Sequence, residues 1–149
     1  RSKTKMSKFQ NDLKFGQMYE QELIKILNPE SYELSKGKFK PYDIIITNNN
    51  KIRKYEVKSD RLSFKTNNLC IEFECNNKES GINTTESHYY AYFVIIDNNE
   101  YNLYIIPTKR IKREIEKKSY HKIMNGGDGY RSKFYLFKID LFQKYKFLQ

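Results

Sequence analysis

Two acids and one lysine on neighbouring predicted strands carry the chemistry that this sequence can support. Asp43 lies in the apolar segment 42–47, and Glu56 and Lys58 lie in the segment 52–58. Lys58 follows Glu56 by two residues, so the two side chains share one face of a strand. Carboxylates and an ammonium group on one face could bind a cation and act on a phosphate ester.

An asparagine-rich turn sets the register of these two segments. An even-length loop of two or four residues centred on 49–50 pairs Thr47 with Ile52. The same register places Asp43 directly opposite Glu56, with their Cβ atoms about 4.5–5.5 Å apart.

This acid pair predicts a divalent cation. Like charges directly opposite each other destabilise a hairpin, so a bound cation is a physical reason to keep them there. Two hard carboxylate ligands suit Mg²⁺, whose shell is completed by water and phosphate oxygens. The alternative is a surface hairpin on which Lys58 neutralises a chance acid pair.

A third acid is expected on the first helix. Helical periodicity covers 9–27 and ends at Asn28-Pro29. At 100° per residue Glu20 falls within the apolar stripe, one turn after Gly16, which opens space. A carboxylate there is either paired or metal-linked, or it is a stripe-edge residue that reaches solvent or a lysine.

The remaining pattern indicates an α/β (α+β) fold with a mixed central β-sheet flanked by helices. Further strands are predicted at 69–75, 91–96, 101–107 and 134–139. Further helices are predicted after an N-cap at Asn83 or Thr84, over 109–118 after an N-cap at Thr108, and as a closing helix or turn over 140–147.

Length and composition limit the number of domains, the partners and the location that we expect. With 149 residues, we expect a single domain over 9–149 and a flexible segment over 1–8, of which 1–5 could be added sequence before Met6. The charge of +10 favours a polyanionic partner. No run is long enough to span a membrane and no signal peptide is evident, so we expect no membrane partner and an intracellular location.

Two further groups of residues could serve a site. Glu72 and Glu74 share a strand face; they are expected to be solvated or paired with lysines, unless Glu72 lies beside the metal centre. The segment 80–85, with Ser80, Gly81, Thr84 and Thr85, could bind phosphate through close backbone approach and free N–H groups. Ordinary helix capping explains the same residues.

Basic residues form the predicted DNA contacts, which would add affinity without sequence readout. They are Lys36, Lys38, Lys40, Arg61, Lys65, Lys109, Arg110, Lys112 and Arg113. Any one of them could equally belong to a solvated surface.

The combination of Asp43, the Glu56-Val57-Lys58 triplet and a preceding helix with Glu20 resembles the PD-(D/E)XK nuclease superfamily. One residue is inserted between Pro41 and Asp43 relative to the nominal motif. The segment 69–95, with its Ile-Glu, Ser-Gly-Ile and Thr-Thr elements, resembles small phage and large-DNA-virus nucleases of this superfamily.

The resemblance implies a restriction-endonuclease-like core and a Mg²⁺- or Mn²⁺-dependent deoxyribonuclease that acts as an endonuclease. Asp43, Glu56, the Val57 carbonyl and Glu20 would hold the metal. Lys58 would position water or stabilise charge on the phosphate.

Several alternatives stay open from the sequence. One is a catalytically inactive nucleic-acid-binding module on the same fold, and another is a scaffold protein whose basic charge is compositional. DNA is the expected partner, with RNA left open, and a homodimer would supply two active sites for cutting both strands of a duplex.

Overall fold

The computed structural model describes residues 8–37 and 40–148, with side chains described from residue 14 onward. Residues 1–7 of the predicted flexible segment, and Lys38 among the predicted DNA contacts, lie outside the described residues. Lys8 begins the first helix.

Three α-helices and nine strands are found within the described residues. The helices are α1 Lys8–Leu27, α2 Ser63–Thr66 and α3 Thr108–Glu116. The strands are β1 Ser31–Leu34, β2 Ile44–Asn48, β3 Lys51–Asp60, β4 Asn68–Cys75, β5 Lys78–Glu79, β6 Tyr89–Asp97, β7 Glu100–Pro107, β8 Lys122–Gly126 and β9 Ser132–Lys138. Short 3₁₀ helices cover Gly81–Asn83, Asp128–Tyr130 and Ile139–Tyr145.

The strands form two sheets. A five-stranded sheet has the order β1-β2-β3-β6-β7, in which β3 and β6 are parallel and the other pairs antiparallel. A four-stranded antiparallel sheet has the order β5-β4-β9-β8. The predicted α/β (α+β) class with a mixed sheet is confirmed.

Strand β6 separates two hydrophobic cores because its side chains alternate between the faces of the mixed sheet. Ala91, Phe93 and Ile95 pack toward α1, where they meet Tyr19 and Leu23. The opposite face, with Tyr90, Tyr92 and Val94, packs against β4 and β9 of the second sheet and against α3. The second sheet, which covers much of this face, was not predicted from the sequence.

The hairpin between β2 and β3 has the predicted register. Thr47 pairs with Ile52, and the connecting turn contains two residues, Asn49 and Asn50, both with positive φ. Asparagine tolerates the left-handed conformation that such a two-residue hairpin turn requires. The backbone N–H of Asp43 donates to the Tyr55 carbonyl, so this ladder continues to the start of β2.

Two predicted helix features were wrong. No helix starts at Asn83 or Thr84, because the chain closes a single 3₁₀ turn at Gly81–Asn83 instead. Thr108 is the first residue of α3 rather than its cap, and its hydroxyl lies 3.3 Å from the Ser87 hydroxyl. The predicted closing helix or turn is confirmed as a 3₁₀ helix, whose buried residue Phe142 joins the inter-sheet core.

The prediction also missed three strands, β1, β5 and β8. Their residues are almost all exposed or half-buried, so they lack the apolar alternation by which a strand is recognised in sequence. Among the described residues, no helix combines the length and the apolar character needed to cross a membrane.

Gly81 is the residue on which the connection between β5 and β6 depends. It has φ +54, and a Cβ atom there would lie 2.1 Å from the Glu72 carbonyl oxygen. Gly16, in the middle of α1, has nothing within 4 Å of the position of a Cβ atom.

We predict that Gly81→Ala lowers the free energy of unfolding by about 2–5 kcal/mol. A left-handed non-glycine residue costs about 1–2 kcal/mol, and forced displacement of packed atoms adds about 1–3 kcal/mol. Gly16→Ala is the matched control and should instead stabilise the protein by about 0.5–1 kcal/mol. Urea unfolding measures both values, and equal effects of the two substitutions would contradict the described packing.

Candidate functional site

Asp43 is held against β3 by a backbone hydrogen bond. The Val57 N–H donates to Asp43 Oδ2 at 2.8 Å. Ile44 and Tyr55 pack toward α1, so the next residues along the ladder, Asp43 and Glu56, lie on the opposite face of the mixed sheet. The structure therefore brings the predicted acid pair together on one face.

Glu20 reaches the same place from α1. Lys40 Nζ lies 3.5 Å from Asp43 Oδ1 and 4.0 Å from Glu20 Oε2, so one ammonium group bridges the two acids. Burial and the charge of Asp43 raise the pKa of Glu20, while Lys40 opposes that rise. The buried stripe of α1 instead includes Tyr19 and Leu23, which leaves Glu20 at the edge of the stripe.

Glu56 is the most constrained carboxylate of the site. Lys58 Nζ lies 3.5 Å from Glu56 Oε2, and the Thr85 hydroxyl lies 3.2 Å from Glu56 Oε1. Burial raises the pKa of Glu56, Lys58 opposes this, and Asp43 adds to the rise. The ionised form of Glu56 is thus less favourable in the folded protein than in water.

Lys58 faces several acids at once. Burial lowers its pKa, but the charges of Glu56, Asp43 and Glu72 outweigh that effect and raise it. Its side chain is 42% exposed, so water partly screens these attractions. Lys58 is accordingly a cation at neutral pH, placed at the solvent-accessible side of the carboxylates.

Glu72 joins the site from the second sheet. Its carboxylate accepts a hydrogen bond from the Ser80 hydroxyl at 2.9 Å, and its charge contributes to the raised pKa of Lys58. A β-bulge lies between Glu72 and Glu74 in the pairing with β9, and bulges re-aim side chains. Strand β4 does not adjoin β3, so Glu72 approaches Lys58 from the other sheet, and its place beside a metal stays a prediction. The expected pairing with a lysine is observed for Glu74, which lies 3.2 Å from Lys133.

The segment 80–85 connects the acids of the two sheets. Ser80 binds Glu72, Gly81 packs directly on the Glu72 backbone, and Thr85 contacts Glu56. Ile82 is almost fully buried and anchors the segment in the inter-sheet core. The two side-chain contacts are to carboxylates. Phosphate binding at the start of a following α-helix was also expected here, but the segment forms only a single 3₁₀ turn.

Tyr90 forms the floor beside these carboxylates. It pairs with Glu56 in the parallel β3–β6 register, which places the two side chains on one face. Burial raises the pKa of Tyr90, and the charges of Glu56, Asp43 and Glu72 raise it further. The phenol therefore stays protonated.

We call Glu20, Asp43, Glu56 and Glu72, together with Lys40 and Lys58, the acid cluster. Four carboxylates and two ammonium groups leave a net charge of −2 when all are ionised. The side chains of Glu20, Asp43 and Glu56 are only 12–15% exposed. A divalent cation would neutralise this charge.

The donor set fits Mg²⁺ or Mn²⁺. No group of three or more histidine, cysteine, aspartate or glutamate side chains in the described part of the chain has the arrangement of a metal site. Mg²⁺ is commonly held by one or two carboxylates plus water and phosphate oxygens, so Asp43 and Glu56 are the residues that would hold it. Lys40 bridges Glu20 to Asp43. Glu20 would therefore contact a metal through a water molecule, or directly if the metal displaced the Lys40 ammonium group.

An open groove adjoins the acid cluster. It has a volume of about 620 Å³, and its lining includes Arg53, His88, Lys109 and Lys112. Thr85 connects the groove to the acid cluster, since it lines the groove and contacts Glu56. The groove thus offers positive charge directly beside the carboxylates.

The other predicted DNA contacts occupy different environments. Lys36, Lys65 and Arg113 are exposed, as are Thr84 and Arg61, and the Arg61 guanidinium lies 3.8 Å from the centre of the Phe15 ring. Lys40 is instead part of the acid cluster. Arg110 donates to Glu114 Oε2 at 2.6 Å and lies over the Tyr145 ring, so its charge is already paired.

Sequence reasoning missed two members of the site. Lys40 was predicted to contact DNA. Its pairing with Glu20 and Asp43 was missed because no sequence pattern marks a lysine that pairs with an acid on a distant element. Tyr90 was not singled out and lay just before the predicted strand 91–96, whereas the observed strand begins at Tyr89. Its parallel pairing with β3 depends on a crossover connection of 28 residues that no local pattern encodes.

Comparison with family models, curated proteins and solved structures finds no match to this chain.

The raised pKa of Glu56 predicts a pH dependence. A folded-state pKa above the ordinary 4.5 means that the folded protein binds more protons than the unfolded chain. The contribution of this carboxyl group to stability is therefore present at low pH and lost as pH rises through the folded pKa. Glu56→Gln removes that penalty, so without divalent cations the Tm of the variant should increasingly exceed that of wild type as pH rises above the ordinary carboxyl pKa of 4.5.

Differential scanning calorimetry in a chelator at several pH values measures this difference. A Tm difference between variant and wild type that shrinks as pH rises would contradict the described environment of Glu56.

Proposed function

We propose that this protein is a divalent-metal-dependent deoxyribonuclease of PD-(D/E)XK type, cutting within DNA strands. The single observation that supports this most is the opposition of Asp43 and Glu56 on one sheet face, with Lys58 3.5 Å from Glu56. These residue types in this order on a hairpin are also what the resemblance implies. The expected setting is the interior of a cell, where DNA is the substrate.

Each residue has a role that its environment supports. Asp43 is oriented by the Val57 N–H, and Glu56 is oriented by Thr85 and Lys58, so both carboxylates are held ready for Mg²⁺ or Mn²⁺. A cation bound there would supply Lewis-acid activation of water and of the phosphodiester. Lys58, protonated and partly exposed, would hold a phosphate oxygen or orient the attacking water.

The groove provides a place for the DNA backbone. Phosphates bound near Arg53, Lys109 and Lys112 would lead the strand past Thr85 toward Glu56. This positive groove offsets the repulsion between a polyanion and the acid cluster, since phosphate neutralisation releases counterions. The net charge of +10 favours the same association.

A second candidate is a catalytically inactive nucleic-acid-binding module on this fold. The ammonium group of Lys40 between Glu20 and Asp43 favours it, because a built-in cation could replace a metal structurally. Metal-dependent turnover separates the two candidates.

We predict that Lys58→Ala and Glu56→Ala each abolish cation-dependent cleavage, lowering the rate by at least about 100-fold. Neither side chain belongs to a hydrophobic core, so folding and DNA affinity should change little. Plasmid and linear DNA incubated with Mg²⁺, Mn²⁺ or chelator provide the assay. Glu74→Ala is the matched control, since it breaks an acid–lysine pair on the second sheet and should leave cleavage intact. Full cleavage by Lys58→Ala would remove the proposed mechanism.

We further predict that Lys109→Ala and Lys112→Ala weaken DNA binding without altering cation affinity. Each removes one phosphate contact, which should reduce the slope of log K against log salt concentration by about 0.9. Fluorescence anisotropy at several salt concentrations measures the slope. Lys144→Ala is the control, because this exposed lysine lies against Tyr145 and does not line the groove. The same slope for all four proteins would place the DNA elsewhere.

A further inference from the structure

Tyr90 carries a polar group with no partner in a place where a partner is expected. Its side chain is 1% exposed, and its hydroxyl is the one buried side-chain oxygen or nitrogen among the described residues that makes no hydrogen bond. Leaving such a group unsatisfied costs about 1–3 kcal/mol, so phenylalanine would serve the core better. The hydroxyl therefore requires an explanation other than packing.

The surroundings of Tyr90 indicate what the hydroxyl meets. Glu56 is its neighbour in the β3–β6 register, and the charges of Asp43 and Glu72 also act on it. A phenol in a negative environment is a donor. The missing partner is thus an oxygen acceptor located on the carboxylate side of the β6 strand.

Tyr92, two residues later on the same strand, shows what a structural tyrosine looks like here. Its hydroxyl donates to Asp60 Oδ2 at 2.5 Å, accepts from the Cys70 N–H at 3.1 Å and lies 3.3 Å from the Ser63 hydroxyl. Tyr92 is as buried as Tyr90 and faces the same core, but its hydroxyl is fully used. The contrast isolates Tyr90 as the group without a structural task.

We infer that the Tyr90 hydroxyl donates a hydrogen bond into the acid cluster when a divalent cation is bound there, to an oxygen held beside Glu56. Tyr90 is then a positioning residue that completes the surroundings of the cation site. This inference rests on the proposed function, since it needs a cation at Asp43 and Glu56. It explains why a hydroxyl that is costly without the cation is present.

The test is Tyr90→Phe, assayed by isothermal titration calorimetry with Mn²⁺ and by thermal unfolding in chelator. Loss of one hydrogen bond in the surroundings of a metal site typically costs 10–100-fold in affinity, so we expect Mn²⁺ to bind at least about 10-fold more weakly. Because the hydroxyl is unsatisfied without the cation, the Tm in chelator should be unchanged or higher.

Tyr92→Phe is the matched control and should behave in the opposite way. It leaves Asp60 and the Cys70 N–H without their partner, so the Tm in chelator should fall while Mn²⁺ affinity stays within about 2-fold of wild type. Tyr90→Phe with wild-type Mn²⁺ affinity would overturn the inference, as would a fall in Tm in chelator with no loss of affinity.

The wild-type titration separates this inference from the proposed function. If wild type binds Mn²⁺ and cleaves DNA while Tyr90→Phe binds equally well, only the role of Tyr90 is lost. If wild type binds no Mn²⁺ and Glu56→Ala leaves DNA cleavage unchanged, the proposed function and the inference are both overturned.

Discussion

The repulsion among half-buried carboxylates is the constraint on which the rest of this structure depends. Asp43 and Glu56 face each other across a hairpin, and Glu20 and Glu72 approach from a helix and from a second sheet. Lys40 and Lys58 offset only part of this charge, so burial and mutual repulsion raise the pKa values of Glu20 and Glu56. The charge that remains is the physical reason for proposing that a divalent cation binds there.

The architecture shows how the repulsion is contained. Segment 80–85 binds one carboxylate at each end, through Ser80 on Glu72 and Thr85 on Glu56. Gly81 permits this because its backbone lies against the Glu72 carbonyl, where no side chain fits. The two sheets are therefore joined at the site by polar contacts and below it by the inter-sheet core. Stability and the geometry of the site depend on the same short segment.

The basic side chains that could attract a polyanion lie next to the carboxylates of the acid cluster. The groove carries positive groups from β3 and α3, and it meets the carboxylates at Thr85. A polyanion held in this groove would reach an acidic site that alone would repel it. Arg110 lies on the same helix as Lys109 but is paired with Glu114, so only part of the basic sequence of α3 is available to a partner. A high lysine count in the sequence therefore overstates the number of free cations.

The sequence by itself determined the local half of the site. The turn at Asn49–Asn50 sets a register in which Asp43 opposes Glu56, and period-two alternation places Lys58 beside Glu56, because both effects act over a few residues. The tertiary structure decided the rest: the parallel pairing that brings Tyr90 to Glu56, the Lys40 bridge to Glu20, and the bulged strand that presents Glu72. Those contacts join residues separated by 20 or more positions, and their formation depends on how two sheets and a helix share buried surface. No local pattern of side chains records that outcome.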